Sequence, residues 1–239
     1  MKKILITIRN YLYLFIFPFS KEKFAIANDK LIVKSNKDNK SIIRFGDGEY
    51  RIMYKNKGIH YQDYNDSLKK ELLDILKNYS NDSNYIICLP PFFFKNAFWF
   101  LFNDTKYIHC FSVPRFYWRK NINKHVKYGD AFFFGKGNDK MFSKLWENND
   151  KIIFVHNDKK WCDLFNLNYS KNAIFIKSPK KNSYNKLDEV EKEIKKIDVN
   201  KNYLILVSSG PMAKVLAYRL SLNNHHVIDT GHCFDDPLV

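Results

Sequence analysis

Short apolar runs alternate with longer amphipathic segments over most of this 239-residue chain. The short runs are rich in β-branched and aromatic residues, which favours strands, whereas the longer segments repeat their apolar residues every three or four positions, as helices do. Strands that alternate with helices are typical of a mostly parallel sheet flanked by helices. We therefore predict an α/β fold, in a single domain over residues 1–239. The strand candidates are 41–45, 85–89, 107–111, 151–156, 173–177, 203–208 and 226–229.

Three segments have the periodicity of amphipathic helices. The first begins at Asn65 or Asp66, either of which can cap a helix, and continues to Lys77. A second covers about 183–197. Pro211 suits the first turn of a third helix, which continues to Leu220. We interpret the apolar stripes of all three as core positions.

The first 20 residues combine a basic start with an apolar run. Lys2 and Lys3 precede a segment that superficially resembles a signal peptide, but no small-residue cleavage site follows it. The uninterrupted apolar run is also shorter than the roughly 20 residues that span a bilayer. We expect a first helix docked on the fold of a cytoplasmic protein. An interfacial helix that gives peripheral contact with the inner face of the membrane is the alternative.

The charge balance is strongly positive, with 40 Lys and Arg against 25 Asp and Glu and a net charge of +15. A positive surface attracts phosphates, anionic lipid headgroups or nucleic acid. The lysines are scattered along the chain, with no Arg-rich helix and no recognisable RNA- or DNA-binding motif, so no nucleic-acid partner is predicted. The four cysteines lack zinc-binding spacing and are interpreted as reduced core residues.

The most informative segment follows the first predicted strand. It reads Arg44-Phe45-Gly46-Asp47-Gly48-Glu49. If the strand geometry continues, Asp47 and Glu49 share a face and converge on one cation, while the glycines leave room for a ligand. Oxygen ligands favour Mg²⁺ or Mn²⁺, which would neutralise the charge of a diphosphate leaving group. The alternative is a tight turn in which Asp47 caps the next helix and Glu49 is solvated.

A second candidate for phosphate binding lies where a later strand gives way to a helix. Its sequence is Ser208-Ser209-Gly210-Pro211. Backbone N–H groups at a helix N-terminus favour an anion, and ligands of open α/β sheets bind beyond the carboxyl ends of the strands. An ordinary strand-to-helix connection is the alternative, and it is the combination with the acidic turn that favours phosphate binding.

Together, the acidic turn, the segment 209–213 and the segment 228–232, which reads Ile-Asp-Thr-Gly-His, resemble the GT-D-fold glycosyltransferases of bacteria. Weaker patches at 62–64, 128–131, 145–146 and 178–182 extend the resemblance from about residue 41 to the C-terminus. It implies a Rossmann-like sheet, a UDP-sugar donor, and Asp47 and Glu49 as ligands of Mn²⁺ or Mg²⁺ at the diphosphate. Because members of this family build surface glycans or decorate glycoproteins, it also implies a lipid-linked or protein-linked glycan acceptor.

The same resemblance implies roles for other residues of the two loops. The positions expected to bind the nucleotide-sugar are Arg44, Phe45, Gly46, Gly48, Ser209, Gly210 and Pro211. Transfer with inversion needs a carboxylate or imidazole that takes the acceptor proton, and the candidates are Asp236, His232 and Asp235. The alternatives are a structural histidine and solvated tail carboxylates, because the C-terminal tail departs from the acidic and aromatic tail that many members carry.

Two other classes of function stay open from the residues alone. An acidic metal turn and a phosphate loop would also serve a phosphotransferase or a nucleotide hydrolase, although the chain has no Walker A or kinase signature. A non-catalytic module that binds membranes or polyanions would account for the positive charge and the apolar N-terminus.

Overall fold

The computed structural model of the chain describes residues 2–19, 26–103, 105–121 and 125–235. Within these ranges seven parallel strands form one sheet, in the order β3-β2-β1-β7-β6-β4-β5. The strands are β1 Ser41–Arg44, β2 Tyr85–Leu89, β3 Gly129–Asp130, β4 Ile152–His156, β5 Ile174–Lys177, β6 Leu204–Val207 and β7 His226–Asp229. The predicted α/β fold class is therefore confirmed.

Helices connect these strands. They are α1 Lys2–Ile16, α2 Asn28–Lys37, α3 Asp47–Lys55, α4 Asp66–Lys77, α5 Ala97–Asn103, α6 Lys106–Asn121, α7 Asp139–Phe142, α8 Lys159–Tyr169, α9 Leu187–Ile197 and α10 Pro211–Ser221, with short 3₁₀ turns at Pro91–Phe94, Ser143–Leu145 and Ser183–Lys186. The strand order changes direction between β1 and β7, and open α/β sheets bind ligands beyond the carboxyl ends of the strands at such a point.

The sheet separates two apolar cores because successive side chains of a strand point to opposite faces. Ile43 lies in the larger core, under α3, α4, α6 and α10, whereas its neighbour Ile42 lies in the smaller core. The smaller core also contains Trp146 and Phe165, both almost completely buried. With both faces covered, the central strands are buried along their whole length, and their apolar residues form the runs that located them.

Six of the seven strand candidates are confirmed to within one residue at each end. The candidate at 107–111 is wrong, because these residues lie in α6. Ile108, Phe111 and Trp118 are buried at three- and seven-residue spacing, which is a helical stripe. The edge strand β3 was missed because it has only two residues and no apolar run of its own.

The predicted helices are also present. Asn65 caps α4, and its side-chain oxygen accepts a hydrogen bond from the Leu68 amide at 3.0 Å. Residues 183–197 form a 3₁₀ turn that continues into α9, and Pro211 is the first residue of α10. Helix α2 had not been predicted, since its sequence is mostly polar and its buried face is narrow.

Helix α1 docks on α6 through a buried arginine. Arg115 of α6 is fully buried, and its guanidinium donates hydrogen bonds to the carbonyl oxygens of Leu14 at 3.1 Å, Phe17 at 2.6 Å and Lys95 at 3.0 Å. Tyr13 stacks on Phe116 with ring centroids 4.4 Å apart. None of the helices in the described ranges is long and apolar enough to cross a membrane.

The substitution Arg115→Met should lower the free energy of unfolding by about 3 kcal/mol, because carbonyl groups that Arg115 satisfies would be left buried without a donor. Urea unfolding measures this difference. The matched control is Lys120→Met, five residues further along α6 on an exposed position, which should change the stability by less than about 0.5 kcal/mol. Equal effects of the two substitutions would show that Arg115 does not anchor α1.

Candidate functional site

The acidic turn is the start of a helix. Strand β1 ends at Arg44, Gly46 has an extended backbone, and α3 begins at Asp47. The Gly46 amide donates to Oε2 of Glu49 at 2.8 Å, which is the Glu half of a capping box. Because a helix turns by about 100° per residue, the side chains of Asp47 and Glu49 diverge, and the expected shared strand face is wrong. Glu49 is also not solvated, since it is 5% exposed.

Both carboxylates nevertheless line the same cleft. Asp47 stands at its mouth with an accessible side chain. Partial burial raises the pKa of the Asp47 carboxyl above its ordinary value, and the charge of Glu49 raises it further. Because the raised pKa reflects repulsion between the two carboxylates, a cation bound beside Asp47 would stabilise its ionised form.

A buried lysine joins the acidic turn to the end of β7. The Lys214 ammonium of α10 lies 3.4 Å from Oε1 of Glu49 and 3.2 Å from Oδ2 of Asp229. Burial alone would lower the pKa of Lys214, but Asp229 and Glu49 raise it, and the net shift is upward. Lys214 therefore carries its charge between two carboxylates.

Each of those carboxylates is also held by the backbone. Asp229 is fully buried, and it accepts hydrogen bonds from the amides of Arg44 and Gly231, both at 3.1 Å. Lys214 in turn donates to the carbonyl oxygen of Gly210 at 3.2 Å. The ends of β1 and β7 and the starts of α3 and α10 are thus fixed relative to one another.

The cleft at this edge of the sheet has two lobes. The acidic lobe, of about 360 Å³, contains Asp47, Glu49 and Arg51. The serine lobe, of about 190 Å³, contains Ser208, Ser209 and Gly210. The residues that line both lobes are His60, Tyr61, Lys214, Gly231 and His232. The two loops singled out in the sequence therefore open into adjoining spaces.

The serine lobe lies at the N-terminus of α10. Gly210 has a φ of +54°, and the Tyr61 ring packs so closely that a Cβ at Gly210 would lie 2.6 Å from Cε2. The Ser208 hydroxyl pairs with that of Thr230 at 2.8 Å, and the Ser209 hydroxyl pairs with that of Ser178. These hydroxyls are positioned before any ligand arrives.

Two of the expected donor-binding residues have structural contacts. Arg44 is 8% exposed and donates to the carbonyl oxygens of Ala131 at 2.8 Å and Thr230 at 2.6 Å. Pro211 is buried as the first residue of α10. Phe45, Gly46 and Gly48 line the acidic lobe. Donor binding by these residues stays a prediction.

Two of the three candidate bases lie together. His232 is 47% exposed, lines both lobes, and its Nδ1 is 3.2 Å from Oδ1 of Asp235. The other oxygen of Asp235 is 3.7 Å from Nε2 of the buried His156. Burial lowers the pKa of His156, and Asp235 partly offsets that effect. The third candidate, Asp236, lies outside the described residues.

Sequence reasoning missed Lys214, Asp229 and Tyr61. Lys214 had a detectable signal, since it is a charged residue in the otherwise apolar stretch 211–217. Asp229 ends an apolar strand next to the switch point, which is another such signal. No sequence signal could have identified Tyr61, because it is a loop residue far from the serine loop in sequence and only the fold brings it to the cleft.

The site fits a metal ion whose coordination is completed by a ligand. Among the residues that the structure describes, no group of three or more His, Cys, Asp or Glu is arranged to hold a metal. Mg²⁺ is commonly bound by one or two carboxylates together with substrate phosphates and water, without a complete protein cage. Asp47 has the accessible carboxylate for such a site, and Glu49 lies within the same lobe.

Comparison with known proteins identifies the family. The family model described as the glycosyltransferase GT-D fold matches residues 42–236. This chain belongs to the GT-D fold family. The match runs from β1 to the tail after β7, so it includes both lobes of the GT-D cleft.

Curated relatives of this GT-D chain are streptococcal. Glycosyltransferase GlyD of Streptococcus pneumoniae is 31% identical over 218 residues, which cover 81% of this chain and 25% of the relative. The probable glycosyl transferase Gly of Streptococcus gordonii is 28% identical over 210 residues, which cover 80% of this chain and 29% of the relative. The chain thus spans between a quarter and a third of the length of these relatives.

Solved structures agree with this GT-D assignment. A domain of unknown function 1792, described as having a distinct glycosyltransferase fold, superposes with a TM-score of 0.71 at 25% identity, over 97% of this chain and 82% of that chain. A structure described as a new glycosyltransferase from Streptococcus sanguinis gives a TM-score of 0.70 at 25% identity, over 89% of this chain and 82% of that chain.

The substitution Lys214→Met should destabilise the fold by about 3 to 5 kcal/mol at neutral pH, because Glu49 and Asp229 would face each other buried and without a cation. In the variant the folded-state pKa of one carboxyl must rise above its unfolded value. Its protonation then stabilises the fold as the pH falls through that raised pKa, so the deficit should shrink between pH 7 and pH 5.

Urea unfolding at the two pH values measures this effect, and Lys196→Met on the exposed side of α9 is the control. That control should lie within about 0.5 kcal/mol of the unsubstituted protein. A Lys214→Met variant as stable as the control at pH 7 would contradict the assigned ion pairs.

Proposed function

We propose that this chain transfers a sugar from a UDP-sugar donor to a lipid-linked or protein-linked glycan acceptor, with Mn²⁺ or Mg²⁺ at the donor diphosphate. The observation that carries the proposal is the two-lobed cleft at the switch point, in which an acidic turn and a helix N-terminus adjoin across Lys214. The GT-D fold and the glycosyltransferase names of the relatives support sugar transfer as the reaction class.

The donor diphosphate would lie where the two lobes meet. Lys214 contributes a positive charge, and the N-terminus of α10 contributes the partial positive charge of the helix dipole. The hydroxyls of Ser208 and Ser209 would donate hydrogen bonds to phosphate oxygens, although each already pairs with another hydroxyl of the protein. The acidic lobe, which contains Asp47 and Glu49, would hold the metal.

Asp47 would be the principal protein ligand of the metal. Glu49 is engaged by the Gly46 amide and by Lys214, so it would act on the metal through its Oε1 side or through water. A divalent ion bound there supplies the charge that offsets the negative charge developing on the diphosphate as the bond to the sugar breaks.

His232 is the base candidate with the best position. It is accessible from both lobes, and the Asp235 carboxylate accepts from its Nδ1 side, which leaves Nε2 able to take a proton. If transfer inverts the anomeric centre, Nε2 would remove the proton of the acceptor hydroxyl. Asp235 would then orient the ring and stabilise its protonated form.

UDP should raise the thermal unfolding midpoint only when Mn²⁺ or Mg²⁺ is present, because a ligand that binds the native state stabilises it by linkage. At a UDP concentration 100-fold above its dissociation constant the gain is about 2.7 kcal/mol. Asp47→Asn should abolish the metal-dependent part of this shift. Differential scanning calorimetry with each combination of UDP and metal measures it.

The matched control for Asp47→Asn is Asp66→Asn, which changes another exposed acid at the first position of a helix. It should leave the metal-dependent shift intact. Full metal-dependent UDP binding by the Asp47→Asn variant would show that the metal is held elsewhere.

His232→Gln should lower the rate of sugar transfer by about 10² to 10⁴, as removal of a general base does, and should leave UDP binding nearly unchanged. The measurement is acceptor-dependent release of UDP, which also separates a transferase from a nucleotide hydrolase, since a hydrolase releases UDP without an acceptor. A transfer rate within a factor of three of the unsubstituted protein would remove His232 from the reaction.

A further inference from the structure

Helix α1 carries an exposed apolar stripe on the side that faces away from α6. The stripe consists of Ile4, Leu5, Ile8, Leu12 and Ile16. With about 100° between successive residues these positions fall within one arc of roughly 120°, opposite the buried Asn10 and Leu14. Ile4 is 65% exposed, so a docked helix still leaves one whole apolar face uncovered.

Aromatic side chains extend this face beyond α1. Phe102 of α5 is 84% exposed, and Phe98 and Phe19 are also exposed. The rings of Phe19 and Phe98 lie 6.0 Å apart, and Phe98 contacts Phe15 of α1 at 5.7 Å. We name the α1 stripe together with Phe19, Phe98 and Phe102 the apolar face. Exposed apolar side chains that adjoin one another in this way are typical of an interaction site.

The surroundings of the apolar face are basic. The three helices α1, α5 and α6 contain no Asp or Glu. In the sequence from residue 85 to residue 129 the only acid is Asp104, against seven Lys and Arg. This part of the sequence thus has six more basic than acidic residues, although one of the seven, Arg115, is buried.

A group of cations lies between α1 and α3. The pKa of Lys55 is lowered by burial and, in addition, by the charges of Arg9, Arg51 and Lys57, while Asp47 raises it. Arg51 and Lys55 are exposed and lie one turn apart on α3, and the exposed Lys57 follows two residues after the helix ends. Cations placed this close together repel, and an anion that binds among them relieves the repulsion. We name Arg9, Arg51, Lys55 and Lys57 the cation cluster.

The cation cluster borders the donor cleft, and α1 lies close to that cluster through Arg9. Arg51 lines the acidic lobe. Asn10 of α1 is 3.3 Å from His109 of α6, and the next residue, Cys110, is close enough to Asp47 for that charge to add to the rise in thiol pKa that burial causes. The middle of α1 therefore packs on the part of α6 that approaches Asp47.

We propose that the apolar face docks on an anionic lipid bilayer and that the cation cluster binds the lipid phosphates, so that the cleft opens at the membrane surface. A second copy of the chain fits the face less well, because pairing would bring together two molecules that each carry a net charge of +15. An anionic bilayer is complementary to both the apolar side chains and the cations.

The docked orientation has a consequence for the acceptor that rests on the proposed sugar transfer. A cleft that opens at the bilayer surface would meet acceptors carried on a lipid, with the cation cluster beside their phosphate. Docking itself does not depend on the reaction, and it is therefore measured without nucleotide, metal or acceptor.

Flotation of the intact chain with vesicles tests the docking. The protein should float with vesicles that contain phosphatidylglycerol, and should float less with phosphatidylcholine alone or at high salt. The variant Ile4→Ser/Ile8→Ser/Leu12→Ser should bind at least about tenfold more weakly. Its control is Leu167→Ser/Val199→Ser/Leu222→Ser, which changes three equally exposed apolar residues elsewhere and should float like the unsubstituted protein.

A second pair of variants tests the cation cluster. Lys55→Gln/Lys57→Gln should weaken binding to the anionic vesicles by about 25-fold, or about fivefold for each lysine, whereas the exposed pair Lys192→Gln/Lys196→Gln on α9 should change it much less. Circular dichroism verifies that the variants fold, as expected for exposed positions.

Three results would overturn the proposal. The first is an unsubstituted protein that does not float with anionic vesicles, and the second is a stripe variant that floats as well as its control. The third is a dimer that depends on the stripe and does not float, which would make the apolar face an interface between two copies. Because no nucleotide is present, none of these results bears on sugar transfer.

Discussion

The buried ammonium of Lys214 is the contact on which the cleft depends. It lies between Glu49 and Asp229, two carboxylates that would otherwise repel each other in a place with little water. Burying three charges is costly unless their remaining hydrogen-bonding capacity is also satisfied. Here backbone amides donate to both carboxylates, two of them to Asp229 and one to Glu49. The four segments that carry these groups therefore adopt one arrangement, which places both lobes at the switch point of the sheet.

In this arrangement, helices α3 and α10 each contribute to more than one feature of the site. The same α3 that begins with the accessible Asp47 ends at Lys55 of the cation cluster, so one helix contributes to both the acidic lobe and the cation cluster. Helix α10 has its N-terminus at the serine lobe and also supplies the Lys214 charge. Membership of the GT-D fold family is consistent with a cleft that holds a negatively charged donor between these two helix starts.

The sheet could be predicted because each buried strand contains a short apolar run, whereas helix starts and side-chain directions could not. The run 107–111 has the composition of a strand and is helical, since its buried positions follow a helical period that the larger segment reveals. The acidic turn was located correctly, but spacing alone does not show that a helix begins at Asp47, and so the direction of Glu49 was wrong. The approach of His232 and Asp235 to His156 depends on a contact between β4 and the C-terminal turn that no local pattern encodes.

The central claim is that Asp47 holds a metal against the donor diphosphate at this cleft. Diffraction from crystals soaked with UDP and Mn²⁺, with the manganese located by its anomalous scattering, measures that directly. The account predicts one manganese within about 2.2 Å of an Asp47 oxygen and of a diphosphate oxygen, with Lys214 and the start of α10 on the other side of the diphosphate. Manganese bound at His156 and Asp235, or a diphosphate held in the cleft with no metal beside Asp47, would contradict it.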